Sequence, residues 1–571
     1  MKTPPPSSIS HWLQAAYKHS DVRAVKFKKN QTWCTLSFKE YLQSIAHIQS
    51  ILRDHNITSG QKVALMSNTR WEWAAIDVAT LAQSSILVPI YPNLSDDDVT
   101  YILNHCEADL LFVDTAKTHE QFERIKKNLN KSISCLIIDD YDFTISSISD
   151  QIVIKMIDAS QNVKLNDPVT IIYTSGTTGK PKGVLLQHKA LVSEVYEAFS
   201  LFEIKHTDSS LAFLPFAHVM GRVEHWGGLF KLCQVAYAES IDQLKSNLVE
   251  IKPSFLIAVP RIFEKVYAGI LTKVETSLLQ KKIFFKALEI AKQMQYYRET
   301  NQAAPITIAV SYEVLAKAVF TPIKKAFGGQ LRFAISGGAP LSKELGLFFA
   351  NLGIKVLEGY GLTETFAAIT VNTEQKWQLG TVGQPIGDVE IKFDHDGEIL
   401  VRSHKILKEY YNNPEATQEA FDKEGFFRTG DIGEFDQNGY LKITDRKKDL
   451  IKTAGGKYVA PQKLEGLLKQ EPSIAQVLIC GDQKKFVTAI LTVENLSVDA
   501  TSEEKQNLIN KLTTHVQKVN SVLASFEAIK KFEVVFETWS VDNGCLTPSM
   551  KVKRKFVQKR YEHLINQMYE D

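Results

Sequence analysis

At 571 residues, the chain is several times the length of a typical single domain of roughly 150 residues, which excludes a peptide hormone, a mini-domain or a disulfide scaffold. A composition of 44% hydrophobic, 10% aromatic and 23% charged residues is that of a globular enzyme and excludes wholesale disorder. Sixty-seven basic against 65 acidic residues give a net charge of +2, too balanced for a surface that as a whole tracks nucleic acid or an anionic bilayer, so partners must be read from local sites.

Cys34, Cys106, Cys135, Cys233, Cys480 and Cys545 are scattered and never spaced as CxxC. That argues against a zinc ribbon or a disulfide framework and fits a reducing cytoplasm. The first residues lead into no apolar stretch of signal-peptide length, and no uncharged apolar run of about 18 residues occurs. The expectation is a protein that neither spans a membrane nor carries an export signal, with peripheral attachment left open.

Short β-branched runs alternate with amphipathic helical stretches: KVALM at 62–66, SSILVPI at 84–90, DLLFVD at 109–114 and VTIIY at 169–173. The alternation predicts an α/β fold with buried parallel strands. Residues 265–327 read as a helical insert, with one long helix from Val266 to Arg298, a break at Ala303–Pro305 and a second helical stretch. A charged segment at Asp445–Leu450 marks a boundary between a large layered α/β domain, 1–444, and a small mobile α+β domain, 445–571. From Asp445 onward there are 20 basic and 16 acidic residues, so the small domain is mildly basic and the large one mildly acidic.

Five segments carry candidate chemistry. In YTSGTTGKPKGV, 173–184, Thr174, Ser175, Gly176, Thr177, Thr178 and Gly179 cannot pack a core. Hydroxyls, glycine-freed backbone NH groups and Lys180 and Lys182 are instead the means by which a loop wraps a polyphosphate. The spacing is not that of a Walker P-loop, because only two residues separate Gly176 from Gly179 and Pro181 follows Lys180. ISGGAPL at 335–341 and GYGLTET at 359–365 follow. Glycines on both sides of Tyr360 allow a flat ligand close to the backbone, and Glu364 can offer a carboxylate to a phosphate-bound magnesium. FRTGDIG, 427–433, presents Asp431 after a tight turn. DRKKDLIKTAGGKYV, 445–459, adds Arg446, Lys448, Lys452 and the Gly455–Gly456 pair, although such a charge run alone is more often a solvated face. LTPSMKVKRKF, 546–556, carries Lys551 in a basic cluster, with six basic residues among the ten from Lys551 to Arg560.

The order of these segments, with LPFAHV at 214–219 between them, resembles the adenylate-forming (AMP-binding) superfamily from about residue 10 to 560. PRIFEKV at 260–266, the helical insert, GGQLRFAISGGAP at 328–340 and DLIKTAGGKYVAP at 449–461 are most similar to the long-chain fatty acid CoA ligases. The resemblance implies that 174–182 holds the β and γ phosphates, with Thr177 and Glu364 as magnesium ligands. Gly338, Ala339 and Tyr360, flanked by Gly359 and Gly361, would form the adenine slot, and Thr363 would approach the α-phosphate. Asp431 and Arg446 would hold the ribose, Lys551 would reach the α-phosphate and the carboxylate, and Lys448 would be the hinge of the small domain. A turn at Lys448 would exchange Lys551 for the segment of Lys452, Gly455 and Gly456. His218 would lie on the acyl side as gate, orienter or core histidine.

What the resemblance implies is a two-step enzyme with ATP, Mg2+ and CoA: a fatty acid becomes acyl-AMP with release of pyrophosphate, and the acyl group passes to CoA. Two alternatives are an acyl-AMP ligase that loads a carrier protein and an inactive acyl-nucleotide-binding regulator. The expected partners are the fatty acid, ATP and CoA, with no nucleic acid; the sequence does not specify an oligomeric state. Two departures bear on the reading. Met550 stands where glycine often precedes the final lysine, and the acyl-side wording is FAHVMGR, 216–222, with Arg222 retained.

Overall fold

The computed structural model describes residues 8–570 apart from 145–147, 175–179, 276, 301, 494–499, 542 and 548–550. The chain divides into two compact units, one of Met1–Ala339, Glu344–Glu390 and Arg402–Phe427, the other of Pro340–Lys343, Ile391–Val401 and Arg428–Asp571.

The four apolar runs read from the sequence all enter one seven-stranded sheet of the first unit. Its order is Glu409–Tyr410, Lys182–Gln187, Pro168–Thr174, Ile86–Ile90, Lys62–Met66, Leu110–Val113 and Ser134–Ile137. Lys62–Met66 pairs in parallel with both neighbours. Every residue of Ile86–Ile90 and of Leu110–Val113 is buried, which is why these strands read as continuous apolar runs and not as alternations. A five-stranded sheet runs Phe255–Ala258, Phe333–Ser336, Lys355–Leu362, Ala367–Val371, Gln384–Pro385. Its first three strands are parallel and the last two antiparallel. The third sheet of this unit orders Thr32–Ser37, Arg23–Lys29, Gln234–Tyr237 and Ser209–Ala212.

Helix Trp71–Leu81 is buried at every residue except Glu72, and it carries Asp77 into the interior. There the carboxylate accepts four hydrogen bonds: from Arg222 Nε at 2.7 Å and Nη2 at 2.6 Å, from Trp226 Nε1 at 2.9 Å, and from His225 Nε2 at 3.0 Å. All three donors lie on helix Val219–Lys231. Burial alone would raise the Asp77 carboxyl, but Arg222 and His225 overcome it and hold the group at about 2.

The insert is helical, but its first stretch is two helices, Pro260–Glu275 and Leu278–Glu299. The break falls at Ser277, whose hydroxyl accepts the Gln280 amide at 3.4 Å, so a serine cap starts a new helix where periodicity alone runs on. Beyond Pro305 the chain forms Ile306–Leu315, a π turn at Ala316–Phe320 and Thr321–Ala326. This stretch is long and apolar enough on average to cross a bilayer, yet only 6% of its apolar window is buried. Glu313 and Lys317 interrupt it, which is why no uncharged run is read there.

The second unit is α+β. One sheet orders Glu390–Phe393, Glu398–Arg402, Phe427–Phe435 and Leu441–Arg446, and another Ile474–Cys480, Val487–Val493 and Ile529–Val535. The helix Ser502–Asn520 packs Leu512, Val516 and Val519 into the core under the latter. Compactness thus divides the chain earlier than the 444/445 boundary read from charge. The antiparallel register Asp431↔Arg446 and Phe435↔Leu441 joins the strands on either side of Gly439 into one hairpin, which this grouping keeps in one unit.

Removing one partner of a buried ion pair leaves the other charge uncompensated, at about 3–5 kcal/mol. Asp77→Ala is therefore expected to lower the stability of the first unit by that amount in denaturant unfolding. Asp77→Ala combined with Arg222→Met should recover most of the loss in a double-mutant cycle.

Candidate active site

The glycine and threonine loop is anchored by a hairpin. Tyr173 pairs with Gly183 and Thr174 with Lys182 in antiparallel register, and a Cβ on Gly183 would stand 2.9 Å from Ile171 Cγ2. Ser175, Gly176, Thr177, Thr178 and Gly179 lie outside the described residues. From the anchor, the Lys182 ammonium sits 5.0 Å from the centre of the Tyr410 ring, and the Tyr410 hydroxyl donates to Glu364 Oε1 at 3.0 Å. Burial, and then the adjacent Glu364 charge, raise the Tyr410 phenol well above its ordinary value. Tyr410 thus brings the anchor of the candidate phosphate loop and the candidate metal ligand together, which sequence reasoning missed. The signal was the paired tyrosines in KEYY at 408–411.

Glu364 stands on a single turn, Thr363–Thr365, fixed from both sides. The Leu407 amide donates to the Glu364 carbonyl at 2.7 Å. Phe366 and Ala367 that follow hold φ of +50° and +89°, left-handed values that side chains disfavour. The strand pairing bulges between Tyr360 and Gly361, where a Cβ on Gly361 would lie 1.5 Å from the Ala367 carbonyl oxygen; only glycine fits. Behind this turn, Lys405 Nζ donates to the Ala368 carbonyl at 2.7 Å and to Glu194 Oε2 at 3.1 Å, while Glu194 Oε1 accepts the Ala368 amide at 2.9 Å. Lys405 is completely buried. Burial raises Glu194 to about 7, with Lys405 opposing.

The 335–341 segment leaves strand Phe333–Ser336 next to the acyl-side segment. A Cβ on Gly337 would meet Met220 Sδ at 2.9 Å, and Gly338 takes φ +80° before Ala339. Tyr360 lies one strand over, opposite Thr370. His218 is the N-cap of helix Val219–Lys231, its Nδ1 accepting the Met220 amide at 3.2 Å. In the neutral ring the proton is therefore on Nε2. Its position is that of a cap, which gives it a structural duty beside any chemical one. Arg222 is fully buried on Asp77.

In the second unit, Asp431 and Arg446 face each other across the hairpin, with Arg446 Nε 2.9 Å from Asp431 Oδ1. Desolvation and the Arg446 charge lower the Lys551 ammonium from its ordinary value, and the Asp431 charge opposes them. The backbone around Lys551 closes on itself, Thr547 N donating to Lys551 O at 2.7 Å, with Met550 outside the described residues. Lys448 is exposed and has no side-chain partner among the described residues. Lys452, Gly455 and Gly456 occupy a separate exposed hairpin of Ile451–Lys452 with Tyr458–Val459, where Gly456 turns the chain at φ +73°. Of the basic C-terminal residues, Arg554 is tied to Glu465 at 2.5 Å and Arg560 to Glu537 at 2.6 Å, and Lys553, Lys555 and Lys559 are exposed.

Residues 12–411 match the family model described as AMP-binding enzyme, and 448–571 match that of the AMP-binding enzyme C-terminal domain. The chain belongs to the AMP-binding enzymes. It is 32% identical over 566 residues to a long-chain-fatty-acid–CoA ligase of Mycobacterium bovis, covering 94% of this chain and 92% of the relative. It is 31% identical to long chain acyl-CoA synthetase 1 of Arabidopsis thaliana, covering 93% of this chain and 87% of that one. Among solved structures, the adenylation domain of a Mycobacterium chelonae carboxylate reductase shares the fold at a TM-score of 0.78 and 21% identity, over all of this chain and 92% of that one. The Bacillus subtilis O-succinylbenzoate CoA synthetase solved with ATP and magnesium does so at 0.69 and 20%, over 95% of this chain and 98% of its own.

Beside the Asp431–Arg446 pair lies an unbalanced charge. Asp445 is 2% exposed and its Oδ2 has no partner among the described residues, while Oδ1 accepts the Arg446 amide at 2.5 Å. Desolvation, abetted by Asp449 and Glu465 and opposed by the Arg446 amide and Arg554, raises the carboxyl to about 7 from an ordinary 3.8. A raised carboxyl stabilises the fold fully below its unfolded value, and this contribution is lost as pH rises through the folded value. Stability should fall by up to about 1.4 kcal/mol per pH unit between roughly pH 4 and 7 on this account. Asp445→Asn should flatten that slope in denaturant titrations at stepped pH.

Proposed function

We propose that this chain is a long-chain fatty acid–CoA ligase, which activates its acid with ATP as acyl-AMP and then passes the acyl group to CoA. The observation that carries the reading is the gathering of Lys551 with the Asp431–Arg446 pair, since a cation is needed where carboxylate and α-phosphate meet. A carboxylate is a poor acylating agent because its leaving group would be oxide, and joining it to AMP supplies a good one. In-line attack brings two anions together, and fixed cations at that point stabilise the transition state. Lys551 supplies one. Asp431, an acceptor-only carboxylate oriented by Arg446, suits ribose hydroxyls. Gly338, Ala339 and Tyr360 would line the adenine, and Thr174 and Lys182 would close the ends of the phosphate loop.

Magnesium, when bound, would neutralise phosphate charge. Glu364 fits such a hard cation, because Tyr410 occupies Oε1 and Oε2 takes no partner among the described residues; Thr177 would be its second protein ligand. For the second step a thiol must reach the same carbonyl, and Lys551 must withdraw. Lys448, exposed and unbound, suits a residue whose torsions change. The exposed turn of Lys452, Gly455 and Gly456 suits a segment that takes over. The remaining basic cluster, Lys553, Lys555 and Lys559, would attract the phosphates of CoA, and near-full-length likeness to CoA ligases supports CoA over a carrier protein as acceptor. Six unpaired cysteines support a cytoplasmic setting.

Lys551→Ala should slow acyl-adenylate formation by two to three decades, about 3–4 kcal/mol, as read by ATP–pyrophosphate exchange. Thioester formation from supplied acyl-AMP should stay within a few-fold. Equal losses in both steps would remove Lys551 from the first step alone. Across acids from acetate to oleate, specificity constants should climb steeply with length, since each buried methylene contributes about 0.8 kcal/mol. A maximum at C2–C6 would overturn the long-chain assignment.

A further inference from the structure

The insert exposes apolar side chains that the rest of the first unit would be expected to bury. Ile306, Val310 and Val314, at 82%, 57% and 62% exposure, recur every fourth residue and so form one ridge along helix Ile306–Leu315. Leu278 and Leu279 are exposed to 82% and 68% at the start of the neighbouring helix. Isolated exposed apolar residues are ordinary, whereas a contiguous ridge marks a contact surface. The opposite side of the hairpin is anchored: Phe284, Ala287, Ala291 and Phe320 are buried, and the Phe284 ring lies 6.1 Å from that of Phe348. The ridge is therefore held facing outward.

Charge identifies what covers it. Residues 278–327 carry eight basic and three acidic residues, in a chain whose total is only +2. Lys282, Lys317 and Lys325 are exposed. An apolar ridge flanked by lysines is complementary to an anionic lipid surface, where side-chain stems lie along acyl chains and ammonium groups reach phosphates. A spanning helix would carry Glu313 and Lys317 through the hydrocarbon and would pull Phe320 from its buried seat, so the stretch lies along the surface.

We propose that the insert, through Ile306, Val310 and Val314 and the flanking lysines, is a docking face by which this protein binds anionic bilayers peripherally. The inference rests on the long-chain reading only in choosing a lipid surface over a soluble partner.

The test is cosedimentation of the full chain with vesicles of phosphatidylcholine alone and of phosphatidylcholine mixed equally with phosphatidylglycerol. Binding is expected to the anionic vesicles, at least tenfold weaker to the neutral ones, and weakened again by 0.5 M salt. Val310→Glu with Val314→Glu should reduce it at least tenfold, while exchange activity on a water-soluble acid without vesicles stays at the wild-type level and shows that the variant is folded. No binding to anionic vesicles, or equal binding by the variant, would overturn the proposal. Resistance to alkaline carbonate would overturn it in favour of a spanning segment. A shift from dimer to monomer in the variant, with vesicle binding unchanged, would overturn it in favour of a second copy on the ridge. Failure of the long-chain reading would show instead in the exchange assay, as no adenylation of any fatty acid whether or not vesicles bind.

Discussion

The first unit is organised around a single carboxylate that water never reaches. Asp77 lies on a helix between two strands of the seven-stranded sheet, and its donors Arg222, His225 and Trp226 lie on a helix between two strands of a different sheet. A buried charge tolerates little displacement, because any lost hydrogen bond exposes the full desolvation cost of the ion. The pair therefore fixes the position of helix Val219–Lys231. That helix begins at the His218 cap, and Met220 in its first turn packs on Gly337, next to the Gly338–Ala339 segment. A constraint deep in the core is thus transmitted through one helix to the wall of the candidate nucleotide slot.

Buried charged groups are satisfied to different degrees from site to site. In the first unit, Asp77 accepts four hydrogen bonds and the strained Phe366–Ala367 backbone beside Glu364 is held in place by the Glu194–Lys405 clamp, whereas Glu224, 1% exposed, has neither carboxylate oxygen partnered among the described residues. In the second, Asp445 is left with an orphan oxygen among Asp449, Glu465 and Arg554, two residues before Lys447 and three before Lys448. Rigidity suits groups that must meet a substrate in one geometry. An imperfectly satisfied carboxyl beside a segment expected to turn reduces the depth of any single resting position.

Much of this architecture was legible in the sequence because it is written in local signals. Four apolar runs gave four strands of one sheet, and the glycine pattern around Tyr360 corresponds to a bulge with no room for a side chain. What stayed hidden depends on partners distant along the chain. Asp77 sits in WEWAAIDVAT as a lone acid in an apolar helix, a signal that something must pair with it, but not that the partner lies 145 residues away. The partners of Tyr410 and Lys405, which are Glu364 and Glu194, lie 46 and 211 residues away. The charge run at Asp445 marked a change of composition, whereas compactness follows the antiparallel hairpin, whose pairing no local charge count reveals.

The anchorage of the candidate phosphate loop constrains how the strands beside it can vary. Thr174 and Lys182 are cross-strand partners, and side chains alternate faces with a period of two. An insertion in the loop between them leaves both anchors as they are. One extra residue between Lys182 and Val184, the residue that pairs with Tyr410, would turn Lys182 to the other face and break the line to Glu364 unless a bulge absorbed it. A strand takes up one extra residue only as a bulge, and this hairpin already has one, where Pro168 faces Gln187 and Thr170 faces Leu186, ahead of the stretch that sets the anchors.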